Sequence, residues 1–355
     1  MRYVTKRSSW SPAALALLGA LAPPRAAAQG SDAHLLYVCS QDAAVVSVID
    51  TRRNEVVETI DLQALGFPAN AKPHHTVVER DGSFWYLSLI GANKVLKFDR
   101  DNRVVGQLDF VAPGMLALHP ETDAMYVGRS MSAVNPPQRI GIIDRSTMTI
   151  DELDAFYPRP HALAVAPAGG FVLTASLAEN QITIVDAATL ELTTRAIDGG
   201  HQMLVQFAFS PDGSRLVAGG QMSGELLVFD ATALPALRLV KRIPVNAEPW
   251  HPVFTPDGRS VYFGNKGANT VTVVDATTWE VAVVIEGEGL AEPHGSAVSP
   301  DGRFVYITSN NLKGVYTDSH GGHPGTVAVI NTTTHRIEKV IEVPPGATGL
   351  SARLR

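Results

Sequence analysis

Val271-Thr272-Val273-Val274-Asp275 decides the fold. It alternates with a period of two, is rich in β-branched residues and stops on an Asp, the mark of a strand running into a turn. The same text returns along the chain. It stands as Val46-Ser47-Val48-Ile49-Asp50, Val95-Leu96-Lys97-Phe98-Asp99, Ile140-Gly141-Ile142-Ile143-Asp144, Ile182-Thr183-Ile184-Val185-Asp186 and Leu226-Leu227-Val228-Phe229-Asp230 before this copy, and as Val327-Ala328-Val329-Ile330-Asn331 after it. The final residues of the seven copies are 49, 45, 42, 44, 45 and 56 positions apart. A period of about 40–45 residues is that of a four-stranded propeller blade.

Each unit resolves into four strand-like runs, A (inner) to D (outer). In one of them the order is His294–Ser299, the turn Pro300-Asp301-Gly302, Phe304–Ser309, Thr326–Ile330 and Ile337–Val343. Asp81-Gly82, Asp212-Gly213 and Asp257-Gly258 repeat that turn, which joins antiparallel neighbours. No sustained helical period is present. The chain begins with runs B, C and D (Leu35–Cys39, Val45–Ile49, Val56–Ile60) and ends with an A-like run, Gly349–Leu354. The sequence therefore predicts an all-β, seven-bladed β-propeller of four-stranded antiparallel blades, closed by pairing the N-terminal strands with the C-terminal strand. Closure has a physical motive, because an unpaired sheet edge invites aggregation. An open solenoid would need capping repeats, and none is visible.

Val261-Tyr262-Phe263-Gly264-Asn265, Ala268-Asn269-Thr270-Val271-Thr272-Val273-Val274-Asp275 and Ser299-Pro300-Asp301-Gly302 resemble YVTN-type propeller repeats, as in surface-layer proteins. The resemblance covers about residues 35–354 and implies the propeller fold. It implies no single function, since such propellers include cell-surface proteins, lactonase-like enzymes and carriers of redox centres; function must come from the site.

The first residues read as an export leader. Arg2, Lys6 and Arg7 form a positive segment, Ala13–Ala22 an apolar one, and Ala26-Ala27-Ala28 a small-residue cleavage site. The expected organisation is a signal peptide over 1–28 and one propeller domain over 29–355, periplasmic or secreted. The apolar run falls short of the roughly 20 residues that span a bilayer, so no membrane span is expected after cleavage. The 355 residues carry 35 acids against 29 bases, a net charge of −6. No basic run follows the leader, which argues against a nucleic-acid partner. Cys39 is the single cysteine; it excludes an intrachain disulfide and reads as buried filler. The chain has no nucleophile elbow, P-loop, dinucleotide fingerprint or Cys-x-x-Cys. The Asp residues ending each C run read as turn formers, not as catalytic carboxylates.

What the blades do not share is concentrated where run D turns into run A. That turn and the B–C loop open at the same rim, so each A strand starts at one mouth of the central channel. Pro73-His74-His75, Pro160-His161 and Pro293-His294 start three of them, and Pro249-Trp250-His251 starts a fourth with its histidine shifted by one. His201 lies just before another. The longest B–C insertion, Asn310–Gly325, adds His320 and His323 in a Gly-rich loop able to fold over the mouth. Neutral imidazole is the commonest metal ligand, and His-rich sets suit copper, zinc, nickel or iron, with copper or zinc the expected ion. The candidate ligands are His74, His75, His161, His251, His294, His320 and His323. His119 reads as a turn residue and Trp85 as core. Lys72, Arg159, Glu248 and Glu292 precede four of the A strands, where they can orient an anionic substrate, support ligands or form surface ion pairs.

The pair His74-His75, and Pro293-His294-Gly295 followed by Ser299-Pro300-Asp301-Gly302, are similar to ligand segments of the copper-binding propeller of nitrous oxide reductases; propellers that bind haem d1 are a further resemblance. The cysteine-bearing electron-accepting domain of those reductases is absent, so the resemblance implies a histidine-lined metal mouth without their activity. Three readings stand at this point: a copper- or zinc-binding propeller acting as a carrier or oxidoreductase, a non-catalytic propeller binding a protein or glycan partner, and a lactonase-like hydrolase of a small-molecule ligand using rim His and Glu.

Overall fold

The computed structural model describes residues 34–353. The expected leader over 1–28 lies outside them. Twenty-eight strands form seven four-stranded antiparallel sheets, each a blade. Blade 1 is β28 (Ala347–Arg353), β1 (Leu35–Ser40), β2 (Val45–Asp50) and β3 (Glu55–Asp61), counted from the axis outward. Blade 2 is β4 (Pro73–Val78), β5 (Phe84–Leu89), β6 (Lys94–Asp99) and β7 (Val104–Asp109). Blade 3 is β8 (Pro113–Leu118), β9 (Ala124–Arg129), β10 (Arg139–Asp144) and β11 (Thr149–Asp154). Blade 4 is β12 (Pro160–Val165), β13 (Phe171–Ser176), β14 (Gln181–Asp186) and β15 (Leu192–Ala196). Blade 5 is β16 (Leu204–Phe209), β17 (Arg215–Gly220), β18 (Glu225–Asp230) and β19 (Arg238–Pro244). Blade 6 is β20 (Val253–Phe254), β21 (Ser260–Asn265), β22 (Thr270–Asp275) and β23 (Glu280–Ile285). Blade 7 is β24 (Pro293–Val298), β25 (Phe304–Ser309), β26 (Gly325–Asn331) and β27 (Arg336–Val343).

Ring closure follows the expectation. β28 pairs with β1 in antiparallel register, Leu35 opposite Arg353 and Val38 opposite Leu350. The inner strands β28, β4, β8, β12, β16, β20 and β24 each touch their neighbours around the axis. Core clusters fill the spaces between blades: Tyr37 stacks on Trp85 and Trp85 on Phe98, with Cys39 buried beside them. The residue ending each C strand works as a turn former. Asp50, Asp99, Asp144, Asp186, Asp230, Asp275 and Asn331 each accept, through a side-chain oxygen, the N–H of the residue two further on.

One backbone device sets the mouth. The residue before each inner strand, or in blade 6 before the bridged Pro249, is left-handed: Lys72, Ala112, Arg159, Met203, Glu248, Glu292 and Gly346. Its carbonyl accepts the N–H of the residue that follows the B strand, from Ile90, Ser130, Leu177, Gln221, Lys266, Asn310 and Gln41 respectively. A non-glycine in this region costs about 1–2 kcal/mol, which the bond and the buried strand start offset. Six inner strands then bulge within three residues, as between Pro73 and His75 and between Pro293 and Ser296. Bulges re-aim side chains; here they turn strand-head residues toward the axis.

Candidate metal centre

Four of the expected histidines converge. The ring centroids of His74 and His161 are 6.1 Å apart, those of His74 and His294 6.0 Å, and those of His251 and His294 4.9 Å. All four are buried. They come from β4, β12, β24 and the segment before β20, so residues up to 220 positions apart in sequence meet on the axis. His251 compensates for its one-residue shift because blade 6 departs from the pattern. Its inner strand pairs only over Val253–Phe254, and upstream a single bridge joins Pro249 to Asn265. Trp250 is buried and lies 5.3 Å from His294, ring to ring.

The hydrogen bonds fix how two of these rings present themselves. His161 Nδ1–H donates to the Arg129 carbonyl at 2.7 Å, leaving Nε2 with its lone pair. His74 Nδ1–H donates to Gln41 Oε1 at 3.3 Å. His74 Nε2, His251 Nε2 and His294 Nδ1 are buried with no partner. A buried polar atom without a hydrogen bond costs about 1–3 kcal/mol, so three in one cluster call for a water, an ion or a ligand to satisfy them. Burial is the main cause that holds every one of the four below the ordinary imidazole pKa, His161 at about 4 and the others well down. All are neutral at pH 7, the form that ligates a metal.

A tetrahedral ion holds imidazole nitrogens at about 2.0–2.1 Å, which places ring centroids about 5 Å apart. The three measured separations bracket that spacing. Among the described residues no three His, Cys, Asp or Glu side chains are already placed around one ion position. The set contains neither thiolate nor carboxylate, which suits copper or zinc better than a hard cation.

His75 lies close enough to the quartet to interact with His74, His161 and His251, whereas the remaining candidates stand elsewhere. His75 is half-buried, and its Nδ1 accepts the Leu116 N–H at 3.2 Å, tying blade 2 to blade 3. His201 is exposed. The expectation that the 310–325 insertion folds across the mouth is corrected. Tyr316 donates to Glu342 on the outer strand β27, Asn311 holds the Tyr316 and Pro324 carbonyls, and the loop leans outward. His320 and His323 are exposed, with His323 Nδ1 beside the Tyr316 carbonyl at 3.2 Å. His119 is a turn residue, accepting the N–H groups of Glu121 and Thr122.

Two groups escape the sequence reading. Gln41, which follows β1, orients His74 from blade 1 to blade 2. Arg129, wholly buried, supplies the carbonyl under His161; its guanidinium donates to the Val111 and Arg139 carbonyls, pairs with Glu152 at 3.2 Å and lies 3.6 Å over the Phe110 ring. Arg129→Met is expected to lower unfolding free energy by about 1–2 kcal/mol in denaturant titrations, because it removes two hydrogen bonds to the Val111 and Arg139 carbonyls while the exposed Glu152 is left to solvent.

No protein-family model and no curated protein matches the sequence. Among solved structures the chain is similar to a functionally unknown protein from Desulfotomaculum acetoxidans, with a TM-score of 0.73 and 14% identity over 90% of this chain and 98% of that one. It is similar to the dihydro-heme d1 dehydrogenase NirN in complex with DHE (TM-score 0.60, 14% identity, 93% of this chain, 77% of that one) and to Kuenenia stuttgartiensis hydrazine synthase (0.58, 21%, 72% and 76%). The chain is a seven-bladed β-propeller. At these identities the likeness reaches the fold alone, and since 1442 chains share it, the fold selects no activity. YVTN-type membership and the nitrous oxide reductase resemblance find no match at the level of family.

Proposed function

We propose that this protein is an exported propeller that binds one copper or zinc ion through His74, His161, His251 and His294, as a metal carrier or a metal-dependent oxidoreductase. The observation that carries this reading is the set of three buried, unpartnered imidazole nitrogens within one cluster of four histidines. A bound ion would satisfy them together and would act as a Lewis acid or an electron carrier. The chain's own part is positional. Arg129 and Gln41 hold two rings by their Nδ1–H groups, the arrangement that fixes tautomer and raises ligand basicity in metal sites. The hydrolase reading lacks a comparable observation: among the described residues no quartet histidine hydrogen-bonds a carboxylate, and Glu292 is engaged by the Lys313 N–H at 2.9 Å.

The test is metal content and affinity of the purified metal-free protein. One equivalent of copper(II) or zinc(II) is expected to bind and raise the melting temperature. Each of His74→Ala, His161→Ala, His251→Ala and His294→Ala should weaken binding at least tenfold, and the triple variant at 74, 161 and 294 should abolish it. His320→Ala and His323→Ala should leave it unchanged. A protein that takes up neither ion, with an unmoved melting curve, excludes this reading and leaves partner binding.

A further inference from the structure

The histidine quartet has an electrostatic gap. Four neutral imidazoles bring no charge to offset a divalent ion, and an uncompensated charge in a buried site is costly. The one buried carboxylate on the rim among the described residues is committed: Glu292 is engaged by Lys313, with Nζ at 3.6 Å. Instead, a cation stands beside the quartet. The Lys266 ammonium lies 4.6 Å over the Trp250 ring, and Trp250 is itself 5.3 Å from His294. Lys266 is half-buried and, among the described residues, pairs with no carboxylate; Glu292 and Glu248 bear on it only at longer range. Its charge is felt by His74, His251 and His294 alike.

Trp250 adds an independent sign. It is 2% exposed, and its indole N–H is buried with no acceptor. A buried donor without a partner, next to an ammonium that forms no ion pair among the described residues, is a half-built anion site. Indole N–H can only donate, so its missing partner is an acceptor.

We propose that Lys266 and Trp250 form the anion-binding half of this centre: a small anion, inorganic or carboxylate, sits between them and the quartet and serves as co-ligand to the ion. This rests on the metal reading above. It supplies the missing negative charge, satisfies the indole N–H and gives Lys266 its counter-charge. It also names the substrate class as a small anion that enters by the mouth. No covalent step is implied.

Binding of metal and anion must then be coupled reciprocally, each raising the other's affinity by the same factor. The experiment titrates copper(II) into the metal-free protein with and without saturating azide, then titrates azide into the copper-loaded protein and follows the azide-to-copper charge-transfer band. Native protein should bind copper at least tenfold more tightly with azide. Lys266→Met should still bind copper in azide-free buffer but bind azide at least tenfold more weakly, and Trp250→Phe should weaken azide binding to a smaller degree. Lys266→Arg should restore most of the azide affinity, which a merely structural role of the lysine stem would not require. Equal copper affinity with and without azide, or unchanged azide affinity in Lys266→Met, overturns the anion site while leaving the metal centre. Copper uptake absent under both conditions overturns the metal centre and the anion site with it.

Discussion

A Gly349→Val protein is expected to lose the closed ring. β28 is the strand that seals blade 1, and it packs at very close quarters against β4 of blade 2. A Cβ on Gly349 would fall inside contact distance of the His74 carbonyl oxygen and 2.9 Å from the His75 Cα. Both obstacles are backbone, so no side chain can turn aside. Around this point Thr348 Oγ1 donates toward the Cys39 and His74 carbonyls, Asn310 holds the Ala347 carbonyl, and the Gln41 N–H meets the Gly346 carbonyl. Ordinary overpacking costs about 1–3 kcal/mol; a backbone collision at the closure seam should exceed about 4 kcal/mol, in the range reserved for a named severe defect. Opening the seam exposes two sheet edges and should bring aggregation. Circular dichroism melts and size-exclusion chromatography read the outcome. Gly170→Ala is the control: it sits at an open turn with nothing within 4 Å of the added carbon and should leave both unchanged. A Gly349→Val protein that melts with the native one would show that β28 is not needed for closure.

That seam also shows why the fold was legible in the sequence. Seven copies of one strand–Asp phrase set blade number and strand order, and the orphan final run had one place to go. Repetition made each blade a check on the others. The site was legible only in part, and for the same reason. His74, His161 and His294 occupy equivalent positions, so aligning blades found them. His251 needed the local loss of pairing in blade 6 to reach the axis, which depends on how Trp250 packs and not on spacing. The 310–325 loop was misplaced because its direction is set by a contact distant in sequence, Tyr316 with Glu342. Lys266 and Gln41 were missed although a signal existed. Both immediately follow a B strand, in a column that otherwise reads Ile90, Ser130, Leu177, Gln221 and Asn310. Lys266 is the sole charge in that column, and each member's N–H is bonded to the left-handed residue heading an inner strand.

Acid should unfold the metal-free protein well before the usual carboxylate range. The quartet histidines are depressed by burial, His161 to about 4 and His74, His251 and His294 further. The unfolded chain takes protons on these residues near pH 6.5; the folded ring does not until near pH 4 or below. Between those values the unfolded state binds more protons, so stability rises with pH. The contribution is fully present above about pH 6.5 and is lost as pH falls. His161 alone accounts for on the order of 3 kcal/mol across that window. The turn aspartates act in a different window. Asp230, held at about 2 chiefly by its hydrogen bond from Thr232, stabilises above the ordinary carboxylate pKa and loses its effect only as pH drops below about 4. The two sets are therefore separable. Urea midpoints between pH 7.5 and 4.5 should fall steeply, by as much as about 1.4 kcal/mol per pH unit for each titrating histidine. His161→Asn keeps a donor at the Nδ1 position for the Arg129 carbonyl and should flatten that slope by close to one proton. Bound zinc should deepen the slope further, since protons then compete with the ion for the same nitrogens. Stability that stays level from pH 7 to 5, or a His161→Asn slope equal to the native one, would mean that these imidazoles take up protons over the same range folded as unfolded, and would overturn a set held neutral by burial.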